Sequence, residues 1–151
     1  MKTGKLFIIG LIIVLAAACG PAATSIAVTT KGGNCILDAG DKIAAGDVTV
    51  TWTVNDDSAS IYGLWFLTLD KGKGYQDLVD YTSADGWAND FPPSWAHWQG
   101  DIYPAEPGSQ NEKTLALQEG PIYLVCLAGT SSVFAGEVEV YGILGPIKVV
   151  R

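Results

Sequence analysis

From Asp47 to Asp56 the chain reads DVTVTWTVND, alternating Val48, Val50, Trp52 and Val54 with Thr49, Thr51 and Thr53. A period of two puts the large apolar side chains on one face and the hydroxyls on the other, the pattern of an antiparallel strand half buried in a core. Asn55-Asp56-Asp57 then closes it as a turn. Similar runs follow at IYGLWFLTL, KTLALQ, IYLVCLA, EVEVYG and IKVV, with weaker ones ahead at SIAVTT and NCIL. Gly, Pro, Asn and Asp fill the gaps between them. Short strands in this number, with turn residues between and scarcely any helical period, predict an all-β sandwich. The exception is YQDLVDY, where Leu78 and Val79 predict a turn or two of helix capping one end. Both EGPIYLVC and LGPIKVV set Gly-Pro immediately before a strand, where a missing amide donor is tolerated. That predicts comparable edge or entry positions for the two.

The N-terminus follows a different pattern. Lys2 and Lys5 precede an apolar core from Leu6 to Leu15 that ends on small residues, which reads as an export signal and not as part of the fold. The stretch is shorter than the roughly 20 apolar residues a spanning helix needs. LAAAC at 15–19 resembles the lipobox of bacterial lipoproteins, although Leu15 stands one position further from the cysteine than is usual and Ala16 takes its place. The resemblance implies that Cys19 is acylated and becomes the first residue of the mature chain, on the extracytoplasmic side of a bacterial cell envelope. The alternative is an ordinary signal peptide cut after Ala18 or near Ala23. Gly20 lacks the acidic side chain that marks inner-membrane retention in some Gram-negative species. The expected organisation is a signal peptide over 1–18, a lipidated N-terminus and short tether over 19–25, and one domain over 26–151, since about 133 residues after the signal suffice for one core.

Charge narrows the partners. The chain has 9 basic and 16 acidic residues; without Lys2 and Lys5 the balance is 7 against 16, about −9. Such a surface repels phosphate backbones, and no basic cluster overrides the average, so nucleic acid is excluded as a partner. The expected partners are the membrane, through the N-terminal lipid, and an unknown protein or glycan.

AAGDVTVTWTVND, GLWFLTLDKGKGYQDL, the Pro-rich and Trp-rich connection after it, LQEGPIYLVCLAG and GEVEVYG are together similar to the cupredoxin-like fold, and more narrowly to small bacterial lipoproteins and secreted domains of that plan. The likeness covers roughly residues 26 to 150 and implies a Greek-key sandwich. It also implies a place for Cys126, which matches the cysteine that delivers a thiolate to copper in the metal-binding members. A blue-copper centre needs two imidazoles and a thiolate, usually with a weak axial ligand. This chain has one histidine, His97, and one methionine, Met1, which leaves with the signal. The expectation is a fold without metal or other cofactor, with electron transfer or metal handling as the competing reading.

Three cysteines are an odd number for an exported chain. Lipidation of Cys19 leaves Cys35 and Cys126, which an oxidising compartment would join. In Greek-key sandwiches the first strands commonly lie beside the last, which suits that pair. An immunoglobulin-like sandwich is the alternative fold, because Cys35, Trp52 and Cys126 imitate its Cys-Trp-Cys order.

Nothing here reads as catalytic. A nucleophilic thiol needs a base nearby, and no Gly-x-Ser-x-Gly elbow occurs. Asp56-Asp57 and the pair Glu137 and Glu139 read as solvated surface. Asp70, Asp77, Asp80 and Asp85 lack the spacing of a calcium loop. The unusual composition lies in DGWANDFPPSWAHWQGDIY, which places Trp87, Phe91, Trp95, His97, Trp98 and Tyr103 in what reads as a Pro-stiffened connection. Aromatics on a loop form platforms for sugars or protein partners, and equally serve as a lid over a sheet. Two or three of them are expected to fill the core and one or two, Trp98 and His97 first, to reach solvent. A carbohydrate-binding surface is the third functional reading.

Overall fold

The computed structural model describes residues 22–40, 42–84, 90–130 and 138–151. Cys19, Trp87, Asp85 and Glu137 lie outside them. The elements run β1 Ser25–Lys31, β2 Asn34–Asp38, β3 Ile43–Ala44, β4 Gly46–Asn55, β5 Ile61–Leu69, α1 Tyr75–Thr82, β6 Ala96–Ala105, β7 Gln110–Leu117, β8 Gly120–Gly129 and β9 Val138–Val150. They form two sheets, four-stranded in the order β2-β1-β4-β7 and five-stranded in the order β3-β9-β8-β5-β6. This is the expected all-β Greek-key sandwich of cupredoxin-like plan. The immunoglobulin-like alternative fails on the pairing: β1 runs parallel to β4 from Ser25↔Thr49 to Lys31↔Asn55, whereas immunoglobulin sheets are antiparallel.

β4 behaves as its alternation predicts. Val48, Val50, Trp52 and Val54 are fully buried, and the threonines between them face outward. β5 and β8 differ, because both of their faces are covered and their apolar runs are therefore unbroken. Tyr62, Leu64 and Phe66 of β5, with Ile122, Leu124 and Cys126 of β8, enter the main core between the sheets. Trp65 and Leu67, with Tyr123, Val125 and Leu127, enter a second cluster on the outer face of the five-stranded sheet. Leu78 of α1 closes that second cluster and is itself fully buried. The Asp77 carboxylate accepts the Gly74 amide at 3.0 Å and pairs with Lys73 at 2.8 Å, which fixes the start of the helix predicted at YQDLVDY.

Cys35 and Cys126 are joined in a disulfide, with Cα atoms 6.4 Å apart. The bond does not link neighbouring strands: β2 and β8 lie in opposite sheets, so it crosses the core. Gly142 of β9, paired with Cys126, makes room for it; a Cβ there would lie 3.1 Å from the Cys35 Cβ.

Two expectations need correction. His97, Trp98 and Tyr103 are not in a connection but in β6, which pairs with β5 along its length. The strand pattern is hidden by a bulge at Gly100, where φ is +146° and a Cβ would come within 2.8 Å of Leu115, and by the proline at 104. LGPIKVV is no separate strand either. It is the second half of β9, offset by one residue between Leu124↔Leu144 and Ile122↔Ile147, and its Gly145 has φ +129°. The two Gly-Pro segments lie side by side, with Pro121 opposite Lys148. At the start of the chain, Ala23 donates to the Lys42 carbonyl at 3.0 Å and accepts from Ala44 at 2.7 Å, so backbone pairing begins before residue 26.

Candidate functional site

The five-stranded sheet carries Trp65, Trp98 and Tyr123 on the face away from the main core. Trp65 is in the middle of β5 with 2% exposure, and two rings meet it. Phe91 stacks on it at 4.9 Å between centroids with planes 26° apart; Trp98 of β6 leans on it at 4.9 Å and 54°. Such offset and tilted contacts hold rings beyond what area burial alone supplies. Trp98 pairs across the ladder with Leu67, which orients it to the same face, yet it remains 41% exposed. An indole held from below by Trp65 and open above is a preformed contact surface. Trp95 belongs to a second group, where Tyr81 meets it edge-on at 5.9 Å and the Lys73 ammonium lies 5.1 Å from its ring centroid. Burial pushes the Tyr81 phenol up from its ordinary pKa, with the nearby Asp90 carboxylate adding to it, and its hydroxyl donates to the Asp90 carbonyl at 3.0 Å.

Phe91, Trp95 and Tyr103 are partly buried against the outer cluster, while Trp98 and His97 reach solvent. His97 does not share the surface of Trp98: it points to the other side of β6, opposite Thr68, and its Nε2 meets the Asp70 carboxylate at 2.8 Å. Trp65, Tyr81 and Lys73 complete the aromatic ensemble and were not singled out from sequence. Trp65 carried one available signal, since IYGLWFLTL has no polar alternation and so needs a cover for both faces.

A second cluster lies at the far end of the sandwich, where the β4–β5 loop meets the first residues of β9. Asp56, Tyr62, Glu139 and Tyr141 line a hollow of about 390 Å³. Asp56 accepts from the amides of Gly33 at 2.7 Å and Ser58 at 3.0 Å, and from the Tyr62 hydroxyl at 3.3 Å. Those backbone bonds hold its carboxyl down at about 2. Behind it, Trp52 donates to the buried Thr30 hydroxyl at 3.0 Å, and Thr30 shares a 2.6 Å bond with Tyr141. Burial pushes the Tyr141 phenol up to about 12, against the lowering effect of that bond.

No family model matches the chain, and no curated protein matches it. Among solved structures it is similar to reduced auracyanin from Roseiflexus castenholzii, at 19% identity and a TM-score of 0.48, covering 87% of this chain and 100% of that one. It is also similar to auracyanin A, a "blue" copper protein from Chloroflexus aurantiacus, at 18% identity and a TM-score of 0.46, over 83% and 98% of the two chains. Reduced rusticyanin follows at 12% identity and 0.44, over 87% and 80%. These overlaps are loose, and the fold assignment stands on strand order and pairing.

Proposed function

We propose that the chain is a lipid-anchored, extracytoplasmic interaction module, not an enzyme, which meets a protein or glycan partner through the outer aromatic face of its five-stranded sheet. The observation that carries this reading is Trp98, an exposed indole seated on Trp65 within a paired strand. Tryptophans in such positions dominate binding energy because they offer a large rigid area with little entropy left to lose. Anchoring follows from the lipobox-like LAAAC ahead of Cys19. Among the described residues no helix is long and apolar enough to cross a membrane.

Copper does not fit the residues present. Cys126 has its sulfur in a bond to Cys35, so it offers no thiolate while that bond is intact. His97 pairs opposite Thr68 and Cys126 opposite Leu64, four positions apart along β5 and therefore about 13 Å along the strand. One imidazole at that distance and a spent thiol do not make a blue-copper donor set.

The test uses tryptophan fluorescence of the intact protein against a panel of soluble oligosaccharides, alongside a Trp98→Ala variant. Quenching by a glycan that weakens roughly 30-fold in the variant, the effect of losing about 2 kcal/mol, supports the reading with a glycan partner. Absence of quenching across the panel removes the glycan, and crosslinking from a photoreactive side chain at position 98 in the native envelope then decides for or against a protein. Absorbance near 600 nm after copper addition to the unreduced protein would overturn the metal-free reading.

A further inference from the structure

The anchoring reading says that the chain is tied to a membrane; the fold adds which end stands on it, and this inference rests on acylation of Cys19. Ala23 is already hydrogen-bonded to Lys42 and Ala44. Four residues from Cys19 to Ala23 reach at most about 14 Å when fully extended. Ala23 bridges Ile43, and Ile43 pairs with Val149, so the attachment point is two strand spacings, about 10 Å, from the end of β9. β4 is ten residues long, or about 34 Å, and its two ends are therefore far from equivalent. A tether this short keeps the Ala23 end beside the bilayer and leaves the opposite end outermost.

The surface at the Ala23 end suits a lipid interface. Pro121, Pro146, Ile147 and Val150 line an apolar groove of about 440 Å³, with Lys148 on its rim. The ion pair of Arg151 with Glu119, at 2.9 Å, borders it. Five of the seven basic residues after Cys19 gather near this end: Lys42, Lys71, Lys73, Lys148 and Arg151. Asp77 is matched there by Lys73 and Glu119 by Arg151, Asp70 meets His97, and the exposed Asp38 and Asp47 bring this end close to neutral. At the other end Asp56, Asp57, Glu106 and Glu139 face Lys31 alone among the described residues. Anionic headgroups repel the second arrangement far more than the first, so charge and tether select the same orientation.

We infer that the acylated protein stands on the bilayer with the Pro121, Pro146 and Lys148 face in the headgroup layer, and with the Asp56 and Tyr141 end turned outward. The partner of this face is an anionic lipid surface. The experiment takes full-length acylated protein in vesicles of phosphatidylethanolamine and phosphatidylglycerol, carrying a nitroxide on either Lys148→Cys or Asp57→Cys, both exposed positions. Collision with a water-soluble nickel chelate is read for each. A label pressed on a plane loses about half of its directions of approach, so the Lys148→Cys label is expected to collide at half the rate of the other or less. Equal rates, with intact mass showing acylated Cys19, overturn the orientation alone. An intact mass without acyl groups overturns the anchoring reading and the orientation with it.

Discussion

Removal of the Cys35–Cys126 bond tests the architecture most directly. The bond closes a loop with a sequence separation of 91. In the chain-entropy treatment, cross-linking over that length removes about 15 to 16 cal/mol/K from the unfolded ensemble, or about 4.6 kcal/mol at 25 °C. A Cys35→Ala, Cys126→Ala variant also leaves the space of two sulfurs in the core, because Cys126 is fully buried and Cys35 is 9% exposed. That void adds about 1 kcal/mol. The expected loss is about 5.5 kcal/mol, a large share of the roughly 5–15 kcal/mol by which domains are stable. Urea unfolding followed by fluorescence is the assay, and buried Trp52 and Trp65 report it. The m-value should rise too, since an unfolded chain without the link exposes more surface. A loss below about 1 kcal/mol would refute the entropy reasoning. Alkylation of Cys126 in the unreduced protein would refute the bond itself.

Three further outcomes are expected. Gly145→Ala should destabilise by about 1–3 kcal/mol, because φ is +129° and the new Cβ would come within 2.8 Å of the Ile122 carbonyl; an unchanged melting temperature sinks that account. Asp56 has its folded pKa depressed to about 2 from 3.8, so its contribution is fully present above pH 3.8 and lost as pH falls toward 2; Asp56→Asn should flatten the stability profile in that window, seen by unfolding at each pH. Tyr141 is raised to about 12 from 10, so its contribution holds below pH 10 and fades between 10 and 12; absorbance of phenolate at 295 nm in Tyr141→Phe should lack the latest-titrating tyrosine.

The sheets were largely legible because burial dictates period. Val48 to Val54 alternate and form a half-covered strand, while the unbroken runs at Tyr62–Leu67 and Ile122–Leu127 mark strands covered on both faces. β6 escaped because its pattern is broken twice, by a bulge at Gly100 that admits Leu115 and by Pro104. β3 has only Ile43 and Ala44, too short for any period to register. Of the candidate site, Trp98 and His97 were readable as solvent-facing from composition, but not their separation onto opposite faces of β6. That needs the register, which no local signal carries. The far-end cluster was invisible because Thr30, Asp56 and Tyr141 are brought together from β1, the β4–β5 loop and β9 across more than half of the chain.

A bond between β2 and β8 also has a timetable. A chain emerging N-terminus first presents Cys35 long before Cys126, and at 5–20 residues per second the wait is roughly 5 to 18 seconds. Until Cys126 arrives, the only other thiol in reach of Cys35 is Cys19, sixteen residues upstream. A mispaired Cys19 would hold β2 back from the sheet that β1 and β4 build. Acylation of Cys19 would withdraw that competitor, so the modification proposed to tether the protein would also leave Cys35 a single correct choice.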